Sequence, residues 1–113
     1  MHEVSVAMEI IEGINNNIKI YNLKSVDKIT LSIGEFTCID ENSLKFAFFS
    51  MSKGTIFENA KLAINKIKAI SYCDYCKEEF NITYTNKICP KCNKFSFNLI
   101  KGDEIILESI EGE

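Results

Sequence analysis

The chain has 113 residues, one domain's worth, and 46% of them are apolar, enough for a single thin core that a metal or disulfide staple would help to hold. Its formal charge is −3, with lysines scattered among Asp and Glu, so it lacks the basic stripe that nonspecific nucleic-acid or membrane-surface binding needs. Glu3, Glu9 and Glu12 with no basic flank do not make a secretory signal, and no uncharged apolar stretch spans a bilayer; a soluble cytoplasmic protein with reduced thiols is expected.

Val4, Ala7, Met8, Ile11, Ile14 and Ile18 recur at helical spacing, which predicts an amphipathic helix almost from the first residue. Asn15, Asn16 and Asn17 weaken its far end. Ile29, Leu31 and Ile33 alternate with Thr30 and Ser32, the pattern of a half-buried strand that Gly34 interrupts. Asp40 or Asn42 caps a second helix with the stripe Leu44, Ala47, Phe48 and Met51, and Gly54 suits its end.

Leu62 and Ile64 open another strand, and the alternation slips by one before Ile67 and Ala69, which reads as a bulge. After a cysteine-bearing segment, Phe95 to Ile100 and Glu104 to Ile110 read as two strands joined at Gly102-Asp103. The expected fold is α+β: a small sheet of about three strands with two helices on one face, plus an inserted four-cysteine domain of zinc-ribbon type. The body takes residues 1–71 and is completed by the C-terminal strand 101–113; the insertion takes 72–100.

Cys73-x2-Cys76, twelve intervening residues, and Cys89-x2-Cys92 form the most specific motif. Two residues between cysteines let one tight turn aim both sulfurs at one ion, and two such turns make the closed tetrahedral site that zinc accepts. Pro90 stiffens the second turn, and Asn93 follows it where tolerance of positive φ is useful. Iron would accept the same four ligands, and two local disulfides are the reading that a reducing compartment disfavours. A site closed by four cysteines has no open position, so its metal is structural. Lys77, Lys87, Lys91 and Lys94 flank the turns, as counter-charges to the thiolates, as an ordinary solvated face, or as both. Cys38 stands apart and reads as a small buried apolar residue.

The single histidine is His2. Its imidazole, its own amide nitrogen and the Met1 α-amine can close adjacent chelate rings on one ion, and Glu3 or its amide can complete a plane suited to Ni(II) or Cu(II). Against this stands the plain alternative of a frayed terminus, and a helix N-terminus repels cations, so Glu3 would have to offset the dipole.

Met1-His2-Glu3-Val4-Ser5, Ile33-Gly34-Glu35, Lys53-Gly54-Thr55 and the paired cysteines together resemble the HypA family, the nickel-insertion accessory proteins of [NiFe]-hydrogenase maturation. The resemblance covers essentially the whole chain. It implies that His2 is the nickel ligand, with Met1 and Glu3 contributing through amine, backbone amide or side chain, and that zinc at Cys73, Cys76, Cys89 and Cys92 is structural. It implies two partners, the GTPase HypB and the hydrogenase large-subunit precursor that receives nickel, and a metallochaperone rather than an enzyme. Some members of that family place histidines beside the zinc cysteines and also serve urease maturation; this chain has none there. The competing reading is a zinc-ribbon module that binds nucleic acid or protein, and the acidic balance counts against nucleic acid.

Overall fold

The computed structural model describes residues 3–113, so Met1 and His2 lie outside the described residues. Two helices and two small sheets make a mixed α+β fold. Helix α1 (Glu3–Tyr21) leads to strand β1 (Val26–Gly34), a 3-10 turn (Glu35–Thr37) and helix α2 (Glu41–Met51). Strands β2 (Lys61–Ile67), β3 (Ile70–Cys73), β4 (Glu78–Asn81), β5 (Leu99–Lys101) and β6 (Ile105–Gly112) follow. One sheet has the order β2-β1-β6 and the other β4-β3-β5. None of the described helices is long and apolar enough to cross a membrane.

Two compact units emerge. The first takes the described residues up to Ser32, Ile39–Asn65 and Ile106–Glu113; the second takes Ile33–Cys38 and Lys66–Ile105. The short stretch Ile33–Cys38 thus belongs with the cysteine-bearing segment, an association for which local sequence pattern has no signature.

In the first unit α1 packs against α2. Val6, Ala7, Ile10 and Ile14 are its buried residues, while Val4 is 59% and Met8 57% exposed. The expected stripe is therefore rotated. Both stripes share Ala7 and Ile14, and α1 carries more apolar residues than one face can bury, so the neighbouring elements choose among them. Gly13 faces Leu107 of β6, where an added Cβ would lie 3.4 Å from its side chain. Helix α2 buries Leu44, Ala47 and Phe48 as expected, and Phe48 meets Phe57 with ring centroids 6.0 Å apart.

Of the two candidate caps Asp40 is the one used. Its carboxylate accepts the Ser43 amide at 3.0 Å, supplying one of the bonds the first helical turn lacks. The other end closes at Ser52, whose amide donates to the Phe48 carbonyl at 2.9 Å and whose hydroxyl donates to it at 2.7 Å. Gly54 lies beyond this cap, at φ +82°.

The second unit is organised on β3. It pairs antiparallel with β4, Ile70 opposite Asn81 and Cys73 opposite Glu78, and antiparallel with β5, Ser71 opposite Leu99. β2 runs to Ile67 with Asn65 and Lys66 both exposed, and after Lys68 and Ala69 the chain enters β3 of the other sheet. The slip in alternation thus lies inside β2, before the chain changes sheet. The strand expected from Phe95 is also shorter, Leu99–Lys101. The stretch before it forms a bridge from Phe95 to Ile88 and is pinned by side chains, with Ser96 Oγ donating to the Tyr72 carbonyl at 2.8 Å.

Candidate metal centre

The four paired cysteines stand at the end of β3 and on the turns that face it. Cys73 is the last residue of β3, so its sulfur is carried by a paired strand, and Cys76 follows after a turn. The Lys77 amide donates to the Cys73 carbonyl at 2.6 Å, and the Asn93 amide donates to the Cys89 carbonyl at 2.8 Å. The two turns are thus built alike. Each ends in a left-handed residue, Lys77 at φ 56° and Asn93 at φ 59°. Asparagine tolerates that conformation and was expected to supply it; lysine does so at some steric cost, and only its matching place after the second cysteine of a pair hinted at it.

The sulfurs converge. All four lie within 4.8 Å of one another, with Cys73 Sγ 3.7 Å from Cys92 Sγ and Cys89 Sγ 3.9 Å from Cys76 Sγ. Sulfurs about 2.3 Å from one tetrahedral ion sit about 3.8 Å apart, so the donor set and its spacing fit such an ion. A disulfide needs sulfurs about 2.05 Å apart, and all five cysteines are free thiols. Cys73 and Cys89 are buried, Cys76 and Cys92 half-buried, and all four join the small core of Ala69, Phe80 and Ile82. The metal centre and the core of this unit are one object.

Local polarity separates the thiols. Burial, then contact with the other three sulfurs, pushes the Cys76 thiol up to about 12. The Cys89 thiol is lowered to about 7, chiefly by the Cys92 backbone amide, with the Lys91 amide assisting against burial. Amides aimed at sulfur favour thiolate, the form that ligates metal.

The flanking lysines divide. Lys91 pairs with Glu78 in an exposed salt bridge, which raises its pKa. Lys94 Nζ sits 3.4 Å from the centroid of the Tyr75 ring. Lys87 Nζ donates to the Tyr84 carbonyl at 2.6 Å and lies 5.6 Å from the Phe36, Tyr84 and Phe97 rings. These three lysines are engaged at the surface.

Cys38 is not buried, contrary to expectation. It is exposed, left-handed at φ 56°, and beside the Tyr84 hydroxyl, whose pKa its thiol raises. It takes no part in the sulfur cluster. The turn after Thr37 needs a residue that reverses the chain, and that backbone demand overrides a thiol's preference for the interior.

Of the three residues expected to hold nickel, only Glu3 is described. It opens α1, and its Oε2 accepts the Asp40 amide at 3.0 Å, so the first turn of α1 is tied to the cap of α2. That bond is the leading cause of a carboxyl pKa below its ordinary 4.5.

A family model described as hydrogenase/urease nickel incorporation, metallochaperone, hypA matches residues 1–112. The hydrogenase maturation factor HypA of Chlorobium limicola is 30% identical over 97% of this chain and 95% of its own. That of Desulfitobacterium hafniense is 32% identical over 100% and 99%. That of Francisella philomiragia is 36% identical over 97% of each. The solution structure of the Ni metallochaperone HypA from Helicobacter pylori is similar in fold, with a TM-score of 0.71 over 99% of this chain and 97% of that one at 24% identity.

Proposed function

The chain belongs to the HypA family of nickel-incorporation metallochaperones, and from that premise we propose that it binds Ni(II) at its N-terminus and delivers it to the large-subunit precursor of a [NiFe]-hydrogenase. The observation that carries the reading is a family match running from residue 1 over a sequence that opens Met1-His2-Glu3. His2 imidazole, the His2 amide and the Met1 α-amine are the proposed donors, with Glu3 closing the plane. The chemistry is ligand exchange in a reducing cytoplasm, so the chain acts as a carrier and not as an enzyme. HypB is the proposed GTPase partner.

Zinc is the proposed resident of the four-cysteine centre. The residues that would hold it are Cys73, Cys76, Cys89 and Cys92, whose sulfur spacing suits a tetrahedral ion. Bound there, zinc supplies cross-linking and no reactive position. The chain's own part is to present two matched turns and to direct backbone amides at Cys89. Nickel is proposed to be carried by the unit that holds α1, and zinc by the unit that holds the four cysteines.

Ni(II) titration of protein with an unmodified terminus tests the nickel site. His2→Ala is expected to abolish tight binding and to leave zinc content unchanged. A residue added before Met1 moves the amine out of the chelate and is expected to weaken binding nearly as much. Affinity should fall as pH drops below neutrality, because the imidazole and α-amine, with ordinary pKa values near ~6.5 and ~7.7–8.0, must lose protons to bind. Unchanged Ni(II) affinity in His2→Ala would remove the N-terminal site. Elemental analysis decides the other metal: one zinc per chain is expected, and iron would overturn the assignment.

A further inference from the structure

The twelve residues between the cysteine pairs do more than join them. Their middle, Thr83 to Ile88, is a locally bonded loop: the Thr83 amide donates to the Asn86 carbonyl at 2.9 Å, and the Asn86 and Ile88 amides donate to side chains of Thr83 and Asn86. This loop projects Tyr84 onto Phe36, forty-eight residues earlier in the chain. The two rings stack with centroids 4.4 Å apart and planes 23° apart, and Tyr84 Oη donates to the Phe36 carbonyl at 2.8 Å. Phe97 adds a third ring, 5.8 Å from Phe36, and Lys87 lies over all three.

The loop is moored at both ends to the metal centre. It leaves β4, the partner of β3, and it returns to Cys89; the Ser96 amide donates to the Lys87 carbonyl at 3.0 Å beside the second cysteine turn. Resting on the reading of the four-cysteine centre as a zinc site, we propose that Tyr84 and Phe36 form a clasp by which zinc occupancy holds residues 33–38 in place. Without the ion the two turns lose their cross-link, the loop loses a fixed origin, and Tyr84 no longer meets Phe36. Local stability then falls in a segment that supplies no metal ligand. Tyr84 is a positioning residue in this scheme, and its hydroxyl and its ring contribute separately.

Two amides report on the segment: Gly34 donates to the Glu104 carbonyl at 2.8 Å, and Phe36 to the Gly102 carbonyl at 2.7 Å. Hydrogen exchange at these amides, read by NMR on the full chain with zinc and after chelation, is the test. In zinc-loaded Tyr84→Ala both amides are expected to exchange about tenfold faster, the loss of one aromatic pair and one hydrogen bond, with zinc content unchanged. Tyr84→Phe keeps the stack and should fall between. Phe36 also packs on the core that contains the cysteines, so chelation should accelerate both amides in the natural protein and in Tyr84→Ala, by a smaller factor in the variant. Zinc-loaded Tyr84→Ala with unchanged exchange would overturn the clasp and leave the zinc reading standing. Chelation that acts as strongly on Tyr84→Ala as on the natural protein would overturn it in the same way. Should Tyr84→Ala fail to hold zinc, Tyr84→Phe decides, and exchange equal to the natural protein's counts against the clasp. A natural protein that binds no zinc would overturn the site and the clasp together.

Discussion

Gly34→Ala is expected to be among the most damaging single-methyl changes in this chain. Gly34 has φ −70° and ψ 145°, a conformation open to any residue, so backbone strain is not the reason. Proximity is. An added Cβ would lie 2.1 Å from the Gly102 oxygen, 2.2 Å from the Gly102 carbonyl carbon and 2.7 Å from the Asp103 nitrogen, all backbone atoms. Gly102 has little room to retreat: at φ +118° it already lies so close to Ala69 that its own Cβ would come within 2.5 Å of the Ala69 Cα. Relief must move the Gly102–Asp103 connection away from the end of β1 and lose the Gly34-to-Glu104 and Phe36-to-Gly102 bonds. Two hydrogen bonds at about 1 kcal/mol each, with about 1–3 kcal/mol for overpacking, sum to about 3–5 kcal/mol, a large part of an ordinary domain's stability. Urea unfolding followed by far-UV circular dichroism at fixed free zinc measures it, since bound metal otherwise shifts the midpoint. Gly54→Ala is the control. It meets open space but sits at φ +82°, and should cost about 1–2 kcal/mol from left-handed strain alone. A loss below about 1 kcal/mol in Gly34→Ala would refute the close-approach argument.

Three further outcomes are expected. Leu44, fully buried in α2, should cost about 2–5 kcal/mol when changed to Ala, measured by the same unfolding assay. Cys89→Ser should lose bound zinc while Cys38→Ala keeps it, because Cys38 is exposed and outside the sulfur cluster; elemental analysis reads both. Glu3 should titrate below 4.5 in an NMR pH series, with the Asp40 amide resonance following it. Since its folded pKa is depressed, the stability it contributes is full above the unfolded value and is lost as pH falls through the folded one, so Glu3→Gln should level that acid limb.

The metal centre was legible in the linear sequence because everything it needs is local: two residues between sulfurs, a turn, and a residue that tolerates positive φ. Spacing alone therefore found Cys73, Cys76, Cys89, Cys92 and the role of Asn93, and hydrophobic period found both helices and β1. Local pattern could not say which face of α1 turns inward, since Val4 and Met8 are as apolar as Val6 and Ile10 and only the packing of neighbours separates them. Nor could it say that the chain changes sheet after Ile67, that Cys38 serves a chain reversal, or that Phe36 waits for Tyr84. Each of those depends on residues far apart in the chain, whose pairing is selected by the sum of packing over the whole unit and leaves no period or spacing behind. Close approach is the plainest case. Gly34 is a strand-ending glycine to anyone reading along the chain, and only the fold brings Gly102 to where a methyl group would stand.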